Sequence, residues 1–390
     1  MKFFLPATAV FFLVLFLCFR PEPQVTVVRS IEDAKPAFDR NNISVVFGCD
    51  DNFALCLGVA LQSLIDNSDK NNNYDVWILD GGISVGRKAR ILEMVKERKN
   101  FSVRFFDINP FIKLDRKNFP LVSSKTISIA TYYRIFIPEI FSAYKRMVYL
   151  DCDIIVNTDI SKLHNIDLQG KSLGACSFWE ASFGVDLPRE NSNPEEKAAL
   201  LVRARRFIEA IDSRDKLYVW AKYYLHRIER DIKKRWQDHV LAGMLVLDME
   251  KLNREEFVGR CLRLLSDPKN RKKLQSEDQD VLNIICDGRV HIIDRKWNML
   301  WYYPKVRERA KALILHYGRC VWGRPWHDTG SSELWWKYAA RSPFYYDIIT
   351  ENLGSILSRG IIRMRGATKN YPCFEQPNSL RQKGRFPARK

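Results

Sequence analysis

The chain contains no Cys-x-x-Cys pair, and its nine cysteines are odd in number and scattered along 390 residues. That pattern excludes a disulfide framework and a cysteine zinc site. Cys49, Cys152, Cys176 and Cys286 sit within apolar runs and read as buried thiols of a reducing compartment. No internal repeat is present, so a solenoid is excluded. Acids are few, 46 against 63 Lys and Arg, and the net charge of +17 favours anionic partners: nucleotide phosphates, acidic lipids, phosphorylated lipid-linked glycans or nucleic acid. No nucleic-acid reading motif accompanies the basic residues, so nucleic acid is not expected as a partner. Long hydrophobic runs are also scarce. Phe3–Phe19 is the exception, a run of seventeen at the short edge of what spans a bilayer, with no small-x-small cleavage site after it. Arg20, Arg29, Lys35 and Arg40 outweigh Lys2, which places the body on the cytoplasmic face of a membrane with residues 1–20 as an anchor. A cleaved signal peptide and a start codon placed too far upstream stay open as alternatives.

What is there fits one large α/β core with an appendage, since 46% of the residues are hydrophobic. After a linker over 21–41, strand-like and helix-like segments alternate. Strands are expected at Ile43–Gly48, Tyr74–Leu79, Ser102–Ile108 and Arg146–Leu150, and again at Met244–Asp248, Val290–Asp294 and Ala312–Leu315. Helices are expected at Ala54–Ile65, from a Ser84 cap to about Glu97, and at Ile129–Phe136. The alternation implies a largely parallel sheet with ligands at the carboxyl ends of its strands. Residues 193–236 break the rhythm: Asn193-Pro194-Glu195-Glu196 starts a helix, and Leu217, Trp220, Tyr224, Ile228 and Ile232 recur at helical spacing. A two-helix insertion is expected there. The basic stretch 359–390, with Ile361, Ile362, Met364, Tyr371 and Phe374 interspersed, suits an anionic membrane surface or a solvated tail.

Three strand ends carry chemistry. Met147–Leu150 is an apolar run that ends in Asp151-Cys152-Asp153, so two carboxylates two residues apart face one side in extended geometry. Two such charges are costly side by side unless a cation joins them, and hard oxygens suit Mg²⁺ or Mn²⁺. A solvated turn or a pair of caps would use the same triplet. The nucleophile strand of a haloacid-dehalogenase-type phosphatase is a further reading, but that motif belongs on the first strand and Ile155 stands where it wants Thr or Val. Asp50, Asp51 and Asn52 close the first strand and can read a ribose or base, or simply form an Asx turn before the next helix. His316, just after Leu313-Ile314-Leu315, is either a satisfied core histidine or the nitrogen that tilts Asp151 and Asp153 toward Mn²⁺.

Taken together and in order, these motifs resemble glycosyltransferase family 8, in particular its bacterial lipopolysaccharide galactosyl- and glucosyltransferases. Cys49-Asp50-Asp51-Asn52 is similar to the family's Ala-Asp-Asp-Asn, and Ile127–Arg134 to its Ile-Ser-x-x-Thr-Tyr-x-Arg. Tyr149–Asp153 matches Tyr-Leu-Asp-x-Asp, Asp278-Gln279-Asp280 matches Asp-Gln-Asp, and an altered His-Tyr-x-Gly…Lys-Pro-Trp-His runs from His316 to His327. The resemblance implies a GT-A fold over 42–330, followed by a helical and basic region over 331–390. It also implies retaining transfer of a hexose from a UDP-sugar to a glycan or lipid-linked acceptor, in lipopolysaccharide or surface glycan synthesis. By that analogy Asp50, Asp51 and Asn52 contact uridine, Arg134 holds the donor, and Gly318 and Arg324 face the diphosphate. Asp151, Asp153 and His316 hold Mn²⁺, with Mg²⁺ as the alternative, and Asp278 and Gln279 line the reacting carbon.

The chain departs from the family pattern in three places. Leu241 replaces the Asn of Asn-Ala-Gly, Phe178 stands where relatives carry an Asp, and two extra residues precede Arg324, itself in place of Lys. Arg keeps the charge and can bind a diphosphate bidentately. A different acceptor is therefore expected on a preserved donor site. A self-glucosylating, glycogenin-like enzyme and a catalytically silent nucleotide-sugar-binding scaffold are the rival readings.

Overall fold

A computed structural model describes residues 24–115, 128–183, 239–271, 274, 277–287, 289–302, 306–318, 324–326 and 332–354, with isolated positions between 195 and 222. The expected anchor over 1–20, nearly all of the expected insertion over 193–236, and the basic stretch from 359 lie outside the described residues. The chain divides into two compact units, 1–344 and 345–390. The first therefore extends past residue 330 and includes the helix Ser332–Ala339. Of the second, residues 345–354 are described and are helical.

The strands are β1 (Val27–Val28), β2 (Asn42–Cys49), β3 (Asn73–Asp80), β4 (Phe101–Asp107), β5 (Arg146–Leu150) and β6 (Ile154–Val156), then β7 (Leu173–Ser177), β8 (Val240–Asp248), β9 (Val290–Ile293), β10 (Met299–Leu300) and β11 (Ile314–His316). Among the described residues they form a large sheet in the order β1-β4-β3-β2-β5-β8-β7-β9 and a small one in the order β10-β11-β6. β2, β3 and β5 are nearly continuous apolar runs because the sheet is covered on both faces. Asp75 interrupts β3 but is paired. Its buried carboxylate accepts from Arg104 Nη2 at 2.6 Å, Tyr144 Oη at 2.7 Å and Ala37 N at 2.9 Å, tying the entering chain to the sheet.

The large sheet is parallel except for β8, which runs against both β5 and β7. The reason lies in where the chain re-enters: Ser177 at the end of β7 pairs with Val240 at the start of β8, and Phe178 N donates to His239 O at 2.7 Å. A segment that leaves and returns at one edge must reverse the strand. The expected helix from Ser84 to about Glu97 is regular only over Val85–Glu93. Ser84 takes the N-cap position with no side-chain bond to the helix. Its own N–H donates to Asp51 Oδ1 at 2.9 Å instead. Ile129–Phe136 is a 3₁₀ helix whose first turn is capped by Ser128 Oγ, which accepts from Ala130 N at 3.1 Å.

The helix Ala54–Asp66 carries apolar residues nearly all round and is buried accordingly. Its C-terminal end fixes the small sheet. Ser63 Oγ accepts from Val156 N at 2.9 Å, and Asn67 Nδ2 donates to Val156 O at 2.9 Å. Gly58 lies where this helix meets Phe344: a Cβ there would fall inside the fully buried Phe344 ring. Gly58→Ala is expected to destabilise the protein by about 1–3 kcal/mol through overpacking, despite the better helix propensity of Ala. Urea denaturation measures it, and a raised midpoint would contradict the packing described.

Candidate active site

Three segments converge at the carboxyl edge of the parallel strands. β5 ends at Leu150, and Asp151 N donates to Gly243 O at 2.9 Å, which holds the first carboxylate against the start of β8. β6 then continues from Asp153 and pairs antiparallel with β11, His316 opposite Ile154. Tyr317 N donates to Asp153 O at 2.9 Å and locks the register. The ladder thereby places His316 Nε2 3.6 Å from Asp151 Oδ2 and 3.4 Å from Asp153 Oδ1. His316 is the last residue of its strand rather than the first beyond it, with Ile314 instead of Ala312 as the start.

The donor set fits a hard divalent cation. One ligand atom each from Asp151, Asp153 and His316 lies within 4.8 Å of the others. His316 Nδ1 lies 2.9 Å from Oδ1 of the fully buried Asn298, so Nδ1 is the N–H donor and Nε2 is the nitrogen that faces the carboxylates and could ligate a cation. Burial pulls the His316 imidazole down, but the hydrogen bond and charge of Asp153 and the charge of Asp151 outweigh it, leaving the group raised. Gly243 makes the space. A Cβ there would lie 2.7 Å from His316 Nδ1 and 2.8 Å from Asp151 Oδ2.

Behind this cluster lies Arg134, 5% exposed, on the 3₁₀ helix. Its Nη2 donates to Asp151 Oδ1 at 2.9 Å, its Nε donates to Thr131 O at 2.9 Å and lies 3.0 Å from Asp278 Oδ2, and its Nη1 donates to Ala242 O. The guanidinium rests on the Tyr149 ring at 4.5 Å, and Tyr149 Oη donates to Asp151 Oδ1 at 2.7 Å. These described contacts of Arg134 are to protein groups. Burial raises the Asp278 carboxyl, against the opposing charge of Arg134 and a 2.5 Å hydrogen bond from Thr131 Oγ1 to its Oδ1. Asp278 Oδ2 is buried and has no hydrogen bond among the described residues. The Arg134 Nε hydrogen points to Thr131 O, so the Arg134–Asp278 approach is charge pairing that leaves an accepting lone pair on Oδ2. Gln279 follows on the same helix, Glu277–Ile285, and its Oε1 accepts from Ala242 N at 3.2 Å.

The end of β2 supplies the third part. Asp50 caps the turn Asp51–Phe53, its Oδ1 accepting from Phe53 N at 3.1 Å while its Oδ2 accepts from Ser128 Oγ. The Asx turn read from the sequence is therefore formed. Asp51 pairs with Arg87 at 2.7 Å, and Asn52 is exposed. Arg324 stacks over Phe53, its guanidinium carbon 5.0 Å from the ring centroid, and lies 5.7 Å from that of Trp326. The Arg in place of Lys keeps the positive charge at these rings and adds N–H donors in a planar fork. Gly318, at φ 52°, occupies the left-handed region that glycine tolerates best. Sequence reasoning missed Asn298, and it placed Tyr149 and Thr131 in motifs without giving either a role. Asn298 lies 18 residues before His316 and only the fold joins them.

The comparisons bear on this arrangement. Residues 44–330 match the family model Glycosyl transferase family 8. General stress protein A of Bacillus subtilis is 24% identical over 74% of this chain and 89% of its own length. Lipopolysaccharide 1,2-glucosyltransferase of Escherichia coli is 23% identical over 80% of this chain and 78% of its own. Among solved structures, the bifunctional glycosyltransferase WbbM superposes with a TM-score of 0.58 at 22% identity, covering 81% of this chain and 52% of that one. The galactosyltransferase LgtC, in complex with donor and acceptor sugar analogues, gives 0.52 at 22% identity over 77% of this chain and 96% of its own. These likenesses are to GT-A glycosyltransferases and bear out the expected fold.

Since Asn298 sets the tautomer of His316, Asn298→Ala is expected to weaken Mn²⁺ binding about 10- to 100-fold. Isothermal titration reads this directly, and unchanged affinity would remove Asn298 from the support of the site.

Proposed function

The chain belongs to glycosyltransferase family 8, and we propose that it is a retaining hexosyltransferase, moving galactose or glucose from a UDP-sugar to a glycan or lipid-linked acceptor. One observation carries the reading: Asp151, Asp153 and His316 come within ligand distance of one another beside the buried carboxylate of Asp278. A divalent cation there, Mn²⁺ or Mg²⁺, would supply charge neutralisation for a departing diphosphate. The rest is the work of the side chains. Arg324, stacked at the end of β2, offers N–H donors for a phosphate oxygen, and Asp50 and Asn52 stand at the same strand end for the nucleoside. Asp278 Oδ2 can accept from a sugar hydroxyl. Gln279 is a neutral amide and a poor nucleophile, so it supports an oxocarbenium-like state through its dipole rather than through a covalent intermediate. The net charge of +17 and the basic stretch 359–390 support an acceptor and a working place at an anionic membrane on the cytoplasmic side. Surface glycan or lipopolysaccharide synthesis is the setting this suits.

The test is UDP release from a panel of UDP-sugars by the purified chain, with Mn²⁺ and with a chelator. Metal-dependent release from one donor is expected, and Asp153→Ala should abolish it. Wild-type turnover in that variant would overturn the metal assignment. Deleting residues 359–390 should weaken binding to vesicles containing anionic lipid by at least about tenfold, as each basic residue near such a surface contributes about 1 kcal/mol. Sedimentation with vesicles measures it, and equal binding would remove the tail from membrane attachment.

A further inference from the structure

Next to Gln279 lies a histidine that neither the motifs nor the family resemblance singles out. His239 precedes β8, and its Nε2 lies 3.2 Å from Gln279 Nε2. Two nitrogens at that distance require one to donate and the other to accept. The roles follow from the neighbouring bond. Ala242 N–H can meet only the oxygen of the Gln279 amide, at 3.2 Å, so Nε2 of Gln279 is an NH₂ donor and His239 Nε2 must present its lone pair. The imidazole is thus neutral, with its proton on Nδ1. Its surroundings hold it there: the ring lies edge-to-face with Phe178 at 5.8 Å and 82°, and its carbonyl oxygen accepts from Phe178 N at 2.7 Å. A carboxylate at position 178 would favour the imidazolium and turn Nε2 into a donor facing a donor. Phe178 and His239 therefore form a matched pair.

The same helix is secured one turn further on. Asn283 Oδ1 accepts from Val240 N at 2.8 Å, and its Nδ2 donates to Val240 O at 3.0 Å and to Gln279 O at 2.7 Å. Asn283 fixes the helix to β8, and the rotation of the Gln279 amide is held from two sides, by Ala242 N at its oxygen and by His239 at its nitrogen. Only polar groups can set it, because a planar amide and its flipped form have the same shape.

We propose that His239 is a positioning residue for sugar transfer, accepting from Gln279 Nε2 and so holding the amide of Gln279 in one orientation at the reacting carbon. The inference rests on the reading of Gln279 given above.

His239→Leu keeps the approximate volume and removes the acceptor, whereas His239→Gln can put an amide oxygen near the place of Nε2. With UDP-glucose and UDP-galactose as probes in the presence of Mn²⁺, His239→Leu is expected to lower kcat about 10- to 100-fold, leaving KM for the donor and the affinity for UDP unchanged. His239→Gln should recover most of the loss. Wild-type kcat in His239→Leu, or a His239→Gln variant as impaired as the Leu variant, would overturn the proposal. Gln279→Ala separates the two readings. If it is impaired while His239→Leu is not, only the role of His239 falls, and if it turns over like the wild type, the role of Gln279 falls and His239 with it. A crystal structure of His239→Leu reads the same question without a donor: Gln279 Oε1 rotated away from Ala242 N supports the proposal, and an unmoved amide overturns it.

Discussion

The buried guanidinium of Arg134 is the constraint on which the site depends. Burying an Arg is costly unless its hydrogens and charge are matched, and here Asp151, Asp278, Thr131 and the carbonyl of Ala242 match them. Those partners come from four separate segments, so one side chain sets the relative positions of the 3₁₀ helix, the end of β5, the start of β8 and the helix Glu277–Ile285. Removing it would strand two carboxylates, at a cost of about 3–5 kcal/mol. Arg134 also leaves the charge of its neighbourhood unbalanced. Asp151, Asp153 and Asp278 gather three carboxyl groups around the single guanidinium of Arg134, with His316 Nε2 facing the first two. Such a group is matched by a divalent cation and strained without one.

Ala242 shows how economically the backbone takes part. Its carbonyl is held by Arg134 and its N–H by Gln279, so one peptide segment links the carboxylate cluster to the residue proposed at the reacting carbon. β5 pairs with β8 only as far as Met244, which frees the residues before it for these side-chain bonds. One residue further along, Gly243 yields the volume that the His316 ring and Asp151 occupy. The Ala-Gly pair therefore does two jobs, a backbone anchor and a missing side chain.

The parts of the site legible in the sequence were those whose chemistry is local. Asp151 and Asp153 follow an apolar strand, and their shared face comes from the period of two in extended chain. The strands β2, β3, β4 and β5 were legible as largely apolar runs between turns, although Asp75 interrupts β3 and Arg104 interrupts β4. What escaped was set by tertiary pairing. β6 and β10 have three and two residues, too short for any period; both pair with β11, and Ser63 and Asn67 hold the other edge of β6. The direction of β8 escaped because it depends on where the chain returns after β7. Ser84 was legible as a helix boundary but not as a donor to Asp51, since capping position follows from sequence and capping partner from packing.

The topology also shows which part of the chain can vary without touching the carboxylate cluster. Residues 178 to 239 leave the sheet at the end of β7 and return at the start of β8, with both ends tied by the bond from Phe178 N to His239 O. The excursion thus begins and ends beside Gln279, on the edge where Asp151, Asp153 and His316 meet. Substitutions at Phe178 and Leu241 lie at its two ends, whereas the strands that carry Asp50 and Asp151 are laid down elsewhere in the sheet. Length and sequence between 178 and 239 can therefore vary without disturbing β2, β5 or β11, since none of their pairings passes through that segment. A fold wired in this way lets the segment between β7 and β8 change independently of the strands that lead to Asp50, Asp151 and His316.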